Sequence, residues 1–300
     1  MKILVYFKYI IKLLIFNPKQ LFLELWVDLK KDLGSKNFKS KNKKVCIFGL
    51  PKSGTTLIEE ILECLPYIRI DRSPLRFFPK KNENIFIQDP EKYFNCFPQK
   101  KFSFIKTHNM FTESFLEASN KFDVKIVVTL RDLRDMLISR YYHVISQNDH
   151  WQHKQIAHLP IEKGFIKSLT MRENGEGPEP IKYYYNWILN WKKNLKENNI
   201  RVFWYEDYIS NPVNFIKEII YYLDFDEFNP EDIEKKLESK RKIYSKIPLQ
   251  KRLKEIGKNV STYRVGKAQV WKSFLKKEMH NEFISLLPGP LSYVTREDKL

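Results

Sequence analysis

The stretch Val45-Cys46-Ile47-Phe48-Gly49-Leu50-Pro51-Lys52-Ser53-Gly54-Thr55-Thr56 constrains the fold more than any other part of the chain. Its apolar start reads as a buried strand, its glycines as a tight turn, and the amphipathic residues Leu57–Leu65 as the helix that follows. A strand, loop and helix joined in this way aim backbone N–H groups and a helix N-terminus at one anionic site. Gly49 and Gly54 have the spacing of the nucleotide loop G-x-x-x-x-G-K-[ST], and Thr56 fits its last position. Thr55, however, stands where that loop has its lysine, and the cation appears inside the loop as Lys52. The ammonium then approaches the terminal phosphate region from within the loop, which disfavours an ATP-hydrolysing reading.

Three further segments carry residues suited to an anionic ligand. Phe102–Ile105 reads as a buried strand that places Lys106 and His108 at its C-terminal end, the edge where open parallel sheets bind ligands. A histidine there can take a proton near neutral pH. Ile126–Leu130 reads as a second buried strand. Arg131 leaves its end, Asp132 or Asp135 can cap the next helix, and Ser139 lies two to three turns into that helix. Arginine suits phosphate because its planar fork makes paired, charge-assisted hydrogen bonds. Ile200–Trp204 is another strand, followed by Tyr205-Glu206-Asp207. Near the C-terminus stands Tyr263-Arg264-Val265-Gly266-Lys267-Ala268-Gln269-Val270-Trp271-Lys272.

In their order these blocks resemble the sulfotransferases that use 3′-phosphoadenosine 5′-phosphosulfate, over about residues 45 to 280. The resemblance implies a three-layer α/β/α fold with a central parallel sheet, the P-loop NTPase-like sulfotransferase fold. It implies that Ser53, Gly54, Thr55 and Thr56 hold the 5′-phosphate and that Lys52 stabilises the bridging oxygen as the S–O bond breaks. Lys106 is expected on the sulfuryl oxygens, with His108 as the base that deprotonates the acceptor hydroxyl or amine. Arg131 and Ser139 are expected on the 3′-phosphate, with Arg264 and Gly266 in a segment that closes over it and Tyr205 beside the adenine. The chain departs from the family at Val265, where a lysine is usual, at Gln269, where a glycine is usual, and at Leu57, where many members have tryptophan. The adenine-stacking Thr-x-Phe element has no clear counterpart, and Ser239 is its nearest candidate. The product of the donor is adenosine 3′,5′-bisphosphate, and no metal is expected.

Bulk properties narrow the reading further. Three hundred residues with 43% hydrophobic content suit one embellished α/β domain. The expected division is an N-terminal amphipathic helix and basic linker over 1–44, the catalytic domain over 45–285, and a tail over 286–300. Three cysteines without ligand spacing point to a reducing compartment, and hence to a cytoplasmic enzyme. The net charge of +17 draws anions, but lysine dominates and is spread along the chain, so specific nucleic-acid recognition is not expected. Residues 1–17 are too short an apolar stretch to span a bilayer; they suit either an anionic membrane surface or packing on the domain. Gly164–Pro180 reads as a long loop over the acceptor. The acceptor is expected to be a small molecule, a lipid or a glycan. Two alternatives stand beside this one: a non-catalytic anion- or membrane-binding relative, and a P-loop phosphotransferase using ATP and Mg²⁺.

Overall fold

Strand β1, Lys44–Gly49, is buried along its whole length, and its side chains alternate between two separate cores. The computed structural model describes residues 43–65, 87–95, 97, 102–195, 199–245 and 268–296. Beside β1 lie β2 (Ser103–Thr107), β3 (Val124–Leu130) and β4 (Ile200–Trp204), all parallel, in the order β2-β1-β3-β4. Ile47 faces Lys106 on one side and Val127 on the other, and Val128 faces Val202. Near-continuous apolar strands are what a parallel sheet covered on both faces requires.

Cys46, Phe48, Ile126 and Val128 enter one core, and Val45, Ile47, Val127 and Phe203 enter the other. The second core is closed by α1 (Thr55–Cys64), through Ile58, Ile61 and Leu62, and by three helices met later in the chain. The first is larger. It receives α2 (Pro90–Asn95), α3 (Glu113–Lys121), α4 (Leu133–Ile145), α5 (His153–Ile156), α6 (Ile161–Thr170) and α7 (Pro180–Lys193). Then α8 (Tyr205–Ser210), α9 (Pro212–Tyr222) and α10 (Pro230–Ser245) return to the second face. The short α11 (Trp271–Phe274) and α12 (Lys277–Ser285) close the first. This is the expected three-layer α/β/α arrangement. Each fully buried Phe, Ile, Leu or Val contributes about 1.5–3 kcal/mol of transfer free energy.

Local chemistry sets the helix boundaries that matter for the site. The Asp132 carboxylate accepts the N–H of Arg134 at 2.9 Å and starts α4 directly after β3. Pro180 at the first turn starts α7, whose Trp187 and Trp191 pack against each other one turn apart inside the first core.

Two expectations need correction. Gly164–Pro180 is not one long loop, because residues up to Thr170 belong to α6. Phe165 and Leu169 share a helical face and are fully buried, and Gly164 allows the Tyr141 hydroxyl to pack where a Cβ would lie 2.8 Å from it. Residues 286–296 are not a tail: Val294 is fully buried, Tyr185 Oη donates to the Pro290 carbonyl at 3.1 Å, and Arg296 pairs with Asp207.

Since all four strands run the same way, Gly49, Thr107, Leu130 and Trp204 end on one edge. The loop after β1, His108, Arg131 and Tyr205 all leave from that edge.

Candidate active site

The loop after β1 is braced from inside. Ser53 donates its N–H to the Leu50 carbonyl at 3.1 Å and its hydroxyl to the same carbonyl at 2.8 Å, while Thr129 Oγ1 lies 2.7 Å from that hydroxyl. Gly49 makes this possible. A Cβ there would lie 2.5 Å from Thr55 Cγ2 and 2.6 Å from Ser53 Oγ, and closer still to Thr129 Oγ1. Lys52 and Gly54 both take positive φ, 78° and 112°, which curls the chain into a concavity. Helix α1 opens from Gly54 with no side-chain cap and no acidic residue in its first turn. Leu57 and Ile58 give their N–H groups to the Gly54 carbonyl, at 2.9 and 3.3 Å. The N–H groups of Thr55 and Thr56 have no intrahelical acceptor and suit an anion.

These residues form one end of an open cleft. Of the residues expected from the sequence, Lys52, Gly54, Thr55, Thr56, Arg131, Ser139 and Tyr205 line it together. The Arg131 guanidinium lies 4.5 Å above the Tyr205 ring, and its Nη1 reaches the Lys52 carbonyl at 3.4 Å. Its Nη2 is 3.9 Å from the buried carboxylate of Asp135, whose other oxygen accepts the N–H of Trp271 at 2.9 Å. Burial, then the charge of Arg131, lowers the Lys52 ammonium to about 8, so it still carries its proton at neutral pH. Behind them burial raises Glu206 to about 7, and one of its oxygens accepts the Asp132 N–H at 3.0 Å.

His108 stands at the opposite side of the loop. Its Nδ1 contacts the Gly49 carbonyl, which can only accept, so Nδ1 carries the hydrogen and Nε2 the lone pair. Trp187 Nε1 holds the same residue by donating to the His108 carbonyl at 3.0 Å. Burial lowers the imidazole to about 4; the Gly49 bond opposes this and the charge of Lys106 adds to it. His108 is therefore neutral at physiological pH.

Other expected residues are placed differently. The Lys106 ammonium turns to the α1 side of the sheet and pairs with Glu59 at 2.6 Å. Ser53 does not line the cleft, since both its N–H and its hydroxyl hold the loop together. Ser239 is exposed and donates to the Lys235 carbonyl at 2.8 Å. Arg264, Gly266, Val265 and residues 1–17 lie outside the described residues. Two residues not expected from the sequence complete the cleft, Glu60 of α1 and Arg241 of α10. Arg241 is 3.5 Å from Glu60, lies 4.9 Å over the Tyr208 ring, and contacts the Tyr208 hydroxyl. Its neighbours Lys240 and Lys242 hide it in a basic run of sequence. Leu57 is the apolar wall of the same end. Among the described residues no three His, Cys, Asp or Glu side chains converge as metal ligands, and no helix is long and apolar enough to cross a membrane.

A parallel sheet whose central strand ends in a braced left-handed loop over an uncapped helix, with two cations beside it, defines an α/β protein with the P-loop-like fold. A family profile described as the sulfotransferase domain matches residues 42–287. The chain belongs to that family. A mouse relative, sulfotransferase 1 family member D1, is 26% identical over 220 residues; the match spans 67% of this chain and 65% of the relative, less than two thirds of its length. The crystal structure of mouse sulfotransferase SULT7A1 complexed with PAP superposes with a TM-score of 0.57 at 18% identity, over 86% of this chain and 87% of that one. At that identity the likeness concerns the fold.

Proposed function

We propose that this protein transfers a sulfuryl group from 3′-phosphoadenosine 5′-phosphosulfate to a hydroxyl or amine of an acceptor. The observation that carries this reading is the meeting, in one cleft, of the N–H groups of Thr55 and Thr56, the ammonium of Lys52, and the pair Arg131 and Ser139. Two separated anion-binding groups fit a nucleotide that bears phosphate at both ends of its ribose. The residues present fit the donor, which when bound supplies an activated sulfuryl group.

The work of the protein is then divided among its own residues. Thr55 and Thr56 hold the 5′-phosphate through backbone N–H groups. Lys52, protonated at neutral pH, faces the oxygen on which charge develops, and fixed charges of this kind contribute about 3–4 kcal/mol to group transfer. His108, neutral and with Nε2 unprotonated, accepts the acceptor proton. Lys106 acts through its charge on His108, because its ammonium is engaged by Glu59. Arg131 and Ser139 hold the 3′-phosphate. Leu57 and the Arg241 guanidinium are the two walls for the base, with Glu60 holding Arg241 in place. A planar guanidinium can stack on a base as an aromatic ring does.

Calorimetric titration with adenosine 3′,5′-bisphosphate, beside ADP with Mg²⁺, tests this. The expected result is metal-free binding of the bisphosphate, weakened roughly 100-fold, about 2.7 kcal/mol, in Arg131→Ala. Preference for ADP with Mg²⁺ would move the chain to the phosphotransferases. Binding of the bisphosphate without turnover of any acceptor would favour a relative that kept the site and lost the chemistry.

A further inference from the structure

Helix α4 carries a further cation, Arg140, and an imidazole, His143, just past the cleft. Ser139 lines the cleft, and His143 follows one turn later on the same face, with Arg140 a turn before His143. The Arg140 guanidinium is built into the fold: Nη2 donates to Gln152 Oε1 at 2.7 Å, Nη1 to the Ser168 carbonyl at 3.4 Å, and the Tyr184 phenol is its third partner. All three are neutral, and among the described residues no carboxylate pairs with Arg140. The guanidinium also has more N–H groups than these three partners use.

Gln152 is fully buried, and its side chain donates to the Ser168 carbonyl at 3.1 Å. Its backbone N–H donates to His150 Nδ1 at 3.1 Å, which leaves Nε2 of that ring as the donor. Tyr184 Oη donates to the Pro51 carbonyl at 3.5 Å, so the cluster abuts the loop that carries Lys52. His143 is lowered to about 4 by burial, then by Lys52, His150 and Arg140; His150 is lowered to about 4 by burial and then by Arg140. Asp149 is the acid that opposes both shifts. Both rings are only half-buried, so a ligand can reach them. A buried guanidinium with only neutral partners is stabilised by an anion held beside it.

We propose that this corner is an anion pocket for the acceptor: the molecule that receives the sulfuryl group carries a carboxylate, sulfate or phosphate, bound by Arg140 with His143 and His150. The word acceptor rests on the sulfotransferase reading, whereas the anion site stands on its own residues. A wholly neutral steroid or phenol would leave Arg140 with neutral partners only.

The test uses the full chain saturated with adenosine 3′,5′-bisphosphate and two probes of equal shape, 4-hydroxyphenylacetate and 4-hydroxyphenylacetamide. Calorimetry gives affinity, and imidazole NMR signals report His143 and His150. Inorganic sulfate and inorganic phosphate, titrated as competitors of the carboxylate, rank the three anion types. The expected result is roughly ten-fold tighter binding of the carboxylate than of the amide, with both imidazole signals moved and the preference lost in Arg140→Gln. His143→Gln, at a half-buried position, should weaken the preference several-fold, and it decides the matter if Arg140→Gln fails to fold. Bisphosphate affinity should be unchanged in both variants. Equal affinity for the two probes, no binding of the carboxylate, unmoved imidazole signals, or a preference that survives in the folded variants would each overturn the proposal. Failure of the bisphosphate itself to bind would sink the sulfotransferase reading, and the carboxylate titration would still decide the pocket.

Discussion

At the loop end of the cleft, Lys52, Gly54, Thr55 and Thr56 come from one contiguous stretch and present mostly backbone. At the far end Arg131, Ser139, Tyr205 and Arg241 come from segments spread over more than a hundred residues of chain and present side chains. The first is a matter of chain shape, the second of chemical groups mounted on separate elements. A backbone cradle tolerates little change in curvature. A side-chain wall can exchange one planar group for another and keep its task.

Substitutions at each end should separate these two modes. The largest effect is expected at Gly49→Ala, because the added Cβ meets Thr129, Thr55 and Ser53 at once. Overpacking of this severity should cost about 3 kcal/mol in a urea titration and abolish bisphosphate binding. If the variant is as stable as the parent, the cradle is not braced as described.

Behind the far end, Glu206→Gln should reveal a buried acid. Its folded value of about 7 lies above that of an unfolded glutamate, so the native state holds a proton that the unfolded chain releases between about pH 4.5 and 7. Stability from this group therefore declines as pH rises through that interval and stays low above it. Glutamine removes the loss. Thermal melts should show the variant more stable than the parent at pH 8, by an amount on the order of 2 kcal/mol, with the gap closing at pH 5.

Arg241→Ala should weaken bisphosphate binding about ten-fold, roughly 1.4 kcal/mol, and Arg241→Trp should recover most of it if the group acts as a stacking surface. Recovery by lysine but not by tryptophan would assign the effect to charge. The smallest effect is at Gln269, which holds a positive φ of 57° without being glycine. Gln269→Gly should raise stability by about 1 kcal/mol, read as a shift in the urea midpoint.

The same comparison explains what could be read from the amino acids. The cradle, the three strands after it and the Arg131–Ser139 spacing were legible because each lies within one short segment with its own pattern. Tyr205 was expected at the site from the segment that follows Ile200–Trp204, and it lines the cleft. Arg241 and Glu60 could not, since one lies in a lysine-rich helix face and the other on an amphipathic helix with two adjacent glutamates, Glu59 and Glu60. Only packing of α1 against α10 distinguishes the pair that meets. The pairing of Lys106 with Glu59 depends on which face of β2 the side chain takes, a matter of strand register. The error at Gly164 came from treating glycine as a breaker, where it serves close contact with Tyr141.

The bracing of the loop by Thr129 has a consequence for how the protein is made. Gly49 and Thr129 are register partners in β1 and β3, yet eighty residues of chain separate them. A ribosome that has delivered the whole phosphate-binding motif has produced a sequence without its cradle. The support for Ser53 arrives only when β3 emerges and pairs, so a loop-closure cost must be met first. Nascent chains stalled before residue 129 should be blind to the nucleotide, and affinity should appear only once the third strand has left the exit tunnel.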